Sequence, residues 1–513
     1  MPRIFFPHAK SETTSEPRKP PRRPLNDLPC PPLHHRPASQ VLIFGNGDMG
    51  QFGLGTSVTG DISKPRLHAW FEAAAQNDTL GSEVGAGVEQ VCAGGMHTLA
   101  IDELGKVWSW GVNDHGALGR QTSDVVDAEN PDEVVDTELL ESQPMVVQGL
   151  LDEDFRAVQV AAGDSISVAV SADGRLRAWG SFRASDGLLG FDNKDKDAKS
   201  QVEPISIPSL ANLVFAQVAC GTDHVLALTV HGTVYVWGNG QQAQLGRRII
   251  ERRKVNGLSP ERLAIRRIVY VAAGNFHSFA ISETGAVYAW GLNNMRQTGV
   301  EDLEEGDEDI VWTPTEVASL SPTALGDGRR VVQISGGEHH TLFLLNDGSV
   351  YGCGRCDGFE LGLPDDHPEI LALEADASGN DSTSSTASAP RASCVAKPTL
   401  ISFPPPPTPS DPNPKLPPYK LYILTPIPNP IAHISAGTRH NLAVSREGHA
   451  YSWGLGQSCQ LGLGSSIEDQ KTPARLRSHL LDELDSEKNG WNWTVENASA
   501  GGQHCVLVAR KVQ

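Results

Sequence analysis

Residues 91–111 read VCAGGMHTLAIDELGKVWSWG, and the same phrase returns in full five more times. It stands as VAAGDSISVAVSADGRLRAWG at 160–180, VACGTDHVLALTVHGTVYVWG at 218–238 and VAAGNFHSFAISETGAVYAWG at 271–291. ISGGEHHTLFLLNDGSVYGCG at 334–354 and ISAGTRHNLAVSREGHAYSWG at 434–454 follow. A seventh copy is split, with ASAGGQHCVLVA at 498–509 holding the first half and VLIFG at 41–45 the second. One repeat cannot bury its apolar face alone, so periodic copies specify an array whose neighbours cover one another.

Each copy predicts four antiparallel strands. In the first, residues 91–93 begin an inner strand, 97–101 run back and 107–110 run forward. After each Leu-Gly a short edge strand carries a proline: Pro65, Pro144, Pro204, Pro260, Pro314, Pro398 and Pro473. Proline lacks the N–H that a central ladder needs, and at an outer edge it blocks sheet-to-sheet pairing. Four strands per unit around an axis is the propeller plan. The expected fold is therefore an all-β, seven-bladed β-propeller over residues 41–513, its closing blade shared by N- and C-terminal strands. Loop insertions are expected at 120–142, 247–267, 300–312, 363–397 and 403–430, and residues 1–40 as a disordered basic, Pro-rich tail. In an up-down meander the Gly-x-x-His turn and the Trp-Gly to Leu-Gly loop emerge on the same side. His97, Asp164, Asp223, His277, His340 and His504 are accordingly expected near one rim.

The chain of 513 residues holds 42 Lys and Arg against 62 Asp and Glu, a formal net charge of -20, which argues against simple electrostatic wrapping of nucleic acid. Two segments run the other way: residues 1–40 carry seven Lys/Arg against three acids, and 247–267 carry eight against two. An acidic body with two basic patches can engage a basic and an acidic partner at different places. Residues 301–309 hold seven acids and read as a solvated loop. The eight cysteines form no dense framework, and Cys353 and Cys356 make a CxxC without a second half, so neither disulfides nor zinc is expected. Neither a secretory leader nor a run of about 20 apolar residues is seen, so no membrane association is expected.

Gly45-Asn46-Gly47-Asp48-Met49-Gly50 matches GxGxxG, but Trp-Gly-x-Gly recurs at 237–240 and 453–456 as an ordinary blade turn with no amphipathic helix behind it. No GxxxxGK[ST] is present, and no nucleophile–base pair survives the repeat reading, so no cofactor and no covalent chemistry are expected. The recurring His reads as structural rather than metal-binding, and blade two carries Ile166 in its place. Residues that break the pattern say more. Asp164 and Asp223 stand in the Gly-x-x-His turns, with Asp48 and Asp114 in rim loops; acids converging on one rim favour a basic partner. The blade-two loop, 180–190, reads GSFRASDGLLG where its siblings read Gly-x-Asn-x-x-Gly, and suits a protruding hairpin.

These phrases resemble the regulator of chromosome condensation family, guanine nucleotide exchange factors of the small GTPase Ran. The likeness covers the chain from Val41 onward and includes 47–55 (GDMGQFGLG), 93–98 (AGGMHT), 117–120 (ALGR), 162–165 (AGDS), 179–183 (WGSFR) and 335–340 (SGGEHH). The blade repeat is shared with the wider superfamily; the Gly-Ser-Phe-Arg loop and the blade-specific Asp positions point to the Ran factor. The resemblance implies that the 181–190 loop is a wedge pressed against Ran. By the same resemblance Asp48, His97, Asp164, Arg183, Asp223, His339 and His504 support exchange, and Ser181, Phe182, Asp186 and Arg247 contact the partner. Ile166 and Arg296 depart from the family's pattern. The family binds nucleosomes through a basic tail and a blade-three loop, which implies chromatin contacts for Arg18, Lys19, Arg22, Arg23, Arg252, Arg253 and Lys254. Residues 17–23 (PRKPPRR) read as a nuclear import signal for an import receptor rather than a merely solubilising tail, and the likeness implies a nuclear, chromatin-associated location. A propeller scaffold that does not catalyse exchange is the alternative; a light sensor would need a clustered Trp interface, whereas most Trp here precede a blade Gly.

Overall fold

The computed structural model describes residues 23–127, 130–192, 199–301, 303, 306, 308–379, 393–408, 410–411, 414–417, 429–481 and 492–512. Seven four-stranded antiparallel sheets form the body, with one further two-stranded hairpin. The repeats become blades as the sequence predicts. In blade one Val88–Ala93 is innermost, followed by His97–Asp102, Val107–Gly111 and the short Met145–Val146. The closing sheet runs Asp61–Leu67, Gln40–Asn46, His504–Val512, Asn492–Ala500. Val41 pairs Val508 and Ile43 pairs Val506, so the two ends of the described chain share one ladder. The prolines fall on or beside the outermost strands, such as Pro398 in Cys394–Ile401 and Pro473 in Asp469–Arg475.

The second strand of blades one to six is buried at every position. Blades stack face to face, so this strand is covered on both sides and reads as a continuous apolar run. Its first residue, the repeat's His, makes the bond that joins neighbouring blades. His97 Nε2 lies 2.9 Å from Ser167 Oγ, His224 Nε2 2.8 Å from Ser278 Oγ, His277 Nε2 2.8 Å from Thr341 Oγ1 and His340 Nε2 2.8 Å from Asn441 Oδ1. His440 reaches Cys505 Sγ at 3.1 Å, and His504 meets Thr98 Oγ1 at 2.9 Å. Ser167 and Ser278 in turn donate to the carbonyls of Ala117 and Gln244 at 2.9 Å. Each hydroxyl proton is thereby used, which leaves the imidazole as donor and fixes its tautomer. Burial pushes His97 down to about 4 and His224, His440 and His504 to about 3, so all four are neutral at physiological pH.

A second set of links rings the central channel. Each inner strand bulges by one residue, as between Val88 and Gln90, and in the first three blades the residue at which pairing resumes is a glutamine. Gln159 Nε2 donates to Val218 O at 3.2 Å while its Oε1 accepts from Val218 N at 3.1 Å. Gln90, Gln217 and Gln333 do the same to Val160, Val271 and Ile434. A side-chain amide carries the donor and acceptor of a peptide, so it continues the hydrogen bonding across a gap no strand bridges. The Leu-Gly motif closes the outer seam: Gly119 has φ 71, and a Cβ there would stand 2.8 Å from Trp179 Nε1.

One expectation needs correction, and two features went unforeseen. Residues 23–39 are not a loose tail. Leu25 and Asn26 donate their amides to Val230 O at 2.8 and 2.9 Å, Asn26 Nδ2 donates to Thr229 O and Ile268 O, and Arg36 grips Glu103 through both oxygens. This strap crosses the turns between second and third strands, on the face opposite the Gly-x-x-His turns. Its Pro-rich composition hid it, because chain held by turn carbonyls needs no strand or helix pattern. Residues 1–22 lie outside the described residues. Helices Ala69–Gln76 and Pro368–Gly379 also went unforeseen; the first buries Phe71 beside Trp110. Finally, Cys92 and Cys220 are only half-buried and line the channel, while Cys505 is buried.

Candidate functional site

The Trp-Gly to Leu-Gly loop of blade two becomes a hairpin, Phe182–Ala184 against Gly187–Gly190, on the same side as the Gly-x-x-His turns. Its root is packed and its tip is not. Phe182, Leu189 and Phe191 join Ile166, Val225, Trp237 and Leu258 in one buried cluster, whereas Ser185, Asp186 and Gly187 are exposed. Gly187 has φ 119 with open space around it. A two-stranded hairpin is marginal on its own in water, so this one depends on its anchors.

Two acids supply them at Arg183, and a third stands beside them. Asp223 Oδ1 accepts the Arg183 backbone amide at 2.6 Å. Asp114 Oδ2 takes the Arg183 guanidinium at 2.9 Å and the Ser165 hydroxyl at 2.7 Å. Asp164 stands at the channel mouth, its backbone amide on Thr222 O at 2.9 Å. Burial pushes the Asp223 carboxyl up to about 7; the Arg183 amide opposes this, and the Asp164 and Asp114 charges add to it. Burial raises Asp164 as well, against the pull of Arg183. The mouth is thus a set of carboxylates kept close to one cation, in excess over it, which is where a basic partner is attracted.

Of the sequence-expected residues, Asp164, Arg183 and Asp223 meet here, and Asp114 belongs with them. Asp48 is exposed in the closing blade, where it accepts from Asn46 Nδ2 at 2.9 Å. His339 lies on the blade-five turn, half-buried, 3.8 Å from Glu338 and 3.4 Å from Gln297; burial lowers its pKa. Two expected contacts are corrected, and two residues expected to support exchange lie inside the blade seams. His97 and His504 are 1% and 0% exposed, and their imidazoles point into the seams between blades. Ser181 and Phe182 are both fully buried: Ser181 Oγ donates to Lys199 O at 2.7 Å and Phe182 forms the hairpin's footing. These four residues are buried beneath the rim.

Asp186 sits at the hairpin's turn as expected. Arg247 is half-buried and donates to Ser259 O at 3.1 Å, which roots the blade-three insertion. Of the residues expected to meet chromatin, Arg252 and Arg253 are exposed on the Glu251–Leu258 turns, while Lys254 is paired with Asp186 and lies 3.5 Å from Glu251. Arg23 is exposed at the first described position; Arg18, Lys19 and Arg22 lie outside the described residues. Gln241, which bonds the hairpin directly, escaped the sequence reading because it occupies an ordinary loop position of its repeat. Among the described residues no three His, Cys, Asp or Glu side chains converge as a metal site, and no helix is long and apolar enough to cross a membrane.

A closed ring of seven blades, its last blade shared by the chain ends and one rim loop drawn out into a hairpin, defines a propeller of the chromosome-condensation-regulator kind. The chain belongs to the RCC1-like family: the RCC1-like domain spans residues 40–507. It is 38% identical over 468 residues to Protein pim1 of Schizosaccharomyces pombe, covering 91% of this chain and 74% of that one. It is 35% identical over 453 residues to the Guanine nucleotide exchange factor SRM1 of Saccharomyces cerevisiae, covering 85% and 82%. Among solved structures, Prp20p of Saccharomyces cerevisiae, studied for its binding to Gsp1p and histones, superposes with a TM-score of 0.71 at 32% identity over 93% of this chain and 92% of that one.

Proposed function

We propose that this protein is a guanine nucleotide exchange factor for the small GTPase Ran, and that it acts through the 181–190 hairpin and the acids around it. The observation that carries this reading is the anchoring of Arg183, in the first strand of a hairpin with an exposed tip, by Asp223 and Asp114 at an acidic mouth. A rigid exposed tip can displace a loop on a partner, and surplus carboxylates favour a basic surface and speed its arrival. Exchange needs no covalent step. If the rim binds the nucleotide-free GTPase more tightly than the loaded one, reciprocity weakens nucleotide binding by the same factor. Each tenfold acceleration corresponds to about 1.4 kcal/mol of barrier, so a large acceleration draws on several contacts. Asp48 and His339 belong to the same rim and extend the contact beyond the hairpin. Direction comes from the excess of GTP over GDP in the cell.

Names of the relatives support exchange activity, and the basic patches support a second, chromatin-directed role. Arg252 and Arg253 present guanidiniums suited to phosphate or to acidic histone carboxylates. Arg18, Lys19, Arg22 and Arg23 would add to that contact and serve an import receptor, in keeping with a nuclear, chromatin-associated location. The decisive assay is release of a fluorescent GDP analogue from purified Ran by catalytic amounts of the protein. Release at the spontaneous rate refutes the exchange reading and leaves the scaffold alternative.

A further inference from the structure

The hairpin is also held at its turn, by the outer loops of blade three. Ser185 donates its backbone amide to Gln241 Oε1 at 2.9 Å, and Gln241 Nε2 donates back to Ser185 Oγ at 2.9 Å. The same Nε2 reaches Glu251 Oε1 at 3.0 Å, the first residue of the basic insertion's turns. Gln241 is itself fixed, since its amide donates to Asn239 Oδ1 at 2.9 Å. One turn further on, Lys254 pairs with Asp186 at the hairpin's tip, and Leu258 packs among Phe182, Leu189 and Phe191. Hairpin and insertion therefore share a polar latch at the tip and an apolar foundation at the root.

We propose that Gln241 and Lys254 are positioning residues for the hairpin, holding the Ser185–Asp186 turn from the outer loops of blade three while Asp223, on the inner turn of the same blade, holds Arg183. The reasoning starts from what the tip lacks. Ser185, Asp186 and Gly187 bury nothing, and Gly187 leaves its own backbone free, so no packing selects one orientation of the turn. Gln241 supplies a donor and an acceptor to one residue, which fixes direction as well as distance. The Lys254–Asp186 pair is exposed, so its effect is modest and falls with salt. This inference rests on the hairpin acting on the GTPase, and it gives the outer loops of blade three a part in exchange beyond that of Asp223 at the acidic mouth.

Two arms on the full-length protein test it. Hydrogen exchange at the 183–190 amides reads the latch without any GTPase: Gln241→Ala speeds it about tenfold while the blade amides stay unchanged. Unchanged protection at 183–190 overturns the proposal whatever the protein does to Ran. In nucleotide release, Gln241→Ala lowers kcat about tenfold and Lys254→Asp about fivefold, with KM nearly constant. The double reversal Asp186→Lys with Lys254→Asp recovers most of that loss. A double reversal no better than Asp186→Lys alone means that Asp186 serves the GTPase directly and overturns Lys254's role. A fall in melting temperature with unchanged kcat means that the residues only stabilise the fold and overturns the proposal. If the wild-type chain releases no nucleotide, the exchange reading fails while the hydrogen-exchange arm still decides the latch.

Discussion

Replacing Asp223 by asparagine should slow nucleotide exchange and stabilise the protein, and both effects should depend on pH. The side chain is 7% exposed and its carboxyl is raised to about 7, against about 3.9 in an unfolded chain. An acid whose folded pKa is raised binds its proton more tightly in the native state. Stability therefore falls as pH climbs from about 4 to about 7 and stays low above that. Three pH units at about 1.4 kcal/mol each set a ceiling of about 4 kcal/mol on the penalty at pH 8. Asp223→Asn keeps an oxygen for the Arg183 amide and removes the charge. It should raise the melting temperature at pH 8 and leave it unchanged near pH 4. Exchanging a charge-assisted bond for a neutral one loses about 1–1.5 kcal/mol, or roughly tenfold in rate, and the loss should shrink toward pH 6 as the wild-type carboxyl protonates. Thermal melts and release of fluorescent GDP, each run from pH 4 or 6 to pH 8, measure the two ratios. A variant that exchanges as fast as wild type at pH 8 removes the Asp223 charge from the site. A stability gain that persists at pH 4 refutes the assignment of the penalty to ionisation.

Three further outcomes follow. Ile166→His should cost about 3 kcal/mol, because it buries an imidazole against Val225; adding Val225→Ser should return about 1 kcal/mol through the bond made in other blades, and a double-mutant cycle by urea melts reads that coupling. Deleting residues 1–22 should leave the melting temperature unchanged and weaken salt-dependent nucleosome binding, with catalytic exchange in solution intact; undiminished nucleosome binding contradicts the tail's role. Deleting 1–38 should lower stability by about 2 kcal/mol, since it also removes the Asn26 and Arg36 bonds, and equal melts for the two truncations would falsify the strap.

Much of this was legible because the propeller repeats. Strand order, the proline-marked edges and ring closure through 41–45 and 498–509 all follow from one phrase and its period. So do the rim placement of Asp164 and Asp223 and the hairpin, whose loop simply fails to match its siblings. Depth was not legible. Parity places the His97 and His504 turns at a rim, but it does not say that the second strand begins inside the seam between blades. Ser181 and Phe182 were misjudged for the same reason: a loop that protrudes must be footed, and its first residues are the footing. Long-range polar links left no periodic trace beyond a glutamine before the Val or Ile of several inner strands, at Gln90, Gln159, Gln217 and Gln333. That recurrence was the available signal, and its meaning depends on a bulge that the sequence does not announce.

The hairpin also explains three oddities that the repeat alone cannot. In six blades the stretch from the Trp-Gly glycine to the Leu-Gly glycine is nine residues long; in blade two, from Gly180 to Gly190, it is eleven. In the nine-residue loops the residue before Leu-Gly, or its equivalent, turns its carbonyl toward the next blade. Ala117 O accepts Trp179 Nε1, and Gln244 O accepts Trp290 Nε1, both at 2.9 Å. The same carbonyls take the hydroxyls that the His residues of the repeat bond. In blade two the corresponding residue is Leu188, which pairs with Arg183 inside the hairpin. Its blade-three neighbours have accordingly lost their acceptor. Trp237 Nε1 has no hydrogen-bond partner among the described residues. Val225 stands where other blades carry Ser, Thr, Asn or Cys, and Ile166 stands where they carry His, and the two pack together with Phe182. A polar relay with no final acceptor would be a set of buried unpaired groups, so an apolar seam is the stable substitute. Two extra residues on one rim thus rewrote the joint beneath it, which is why the departure at Ile166 belongs to the hairpin rather than counting against it.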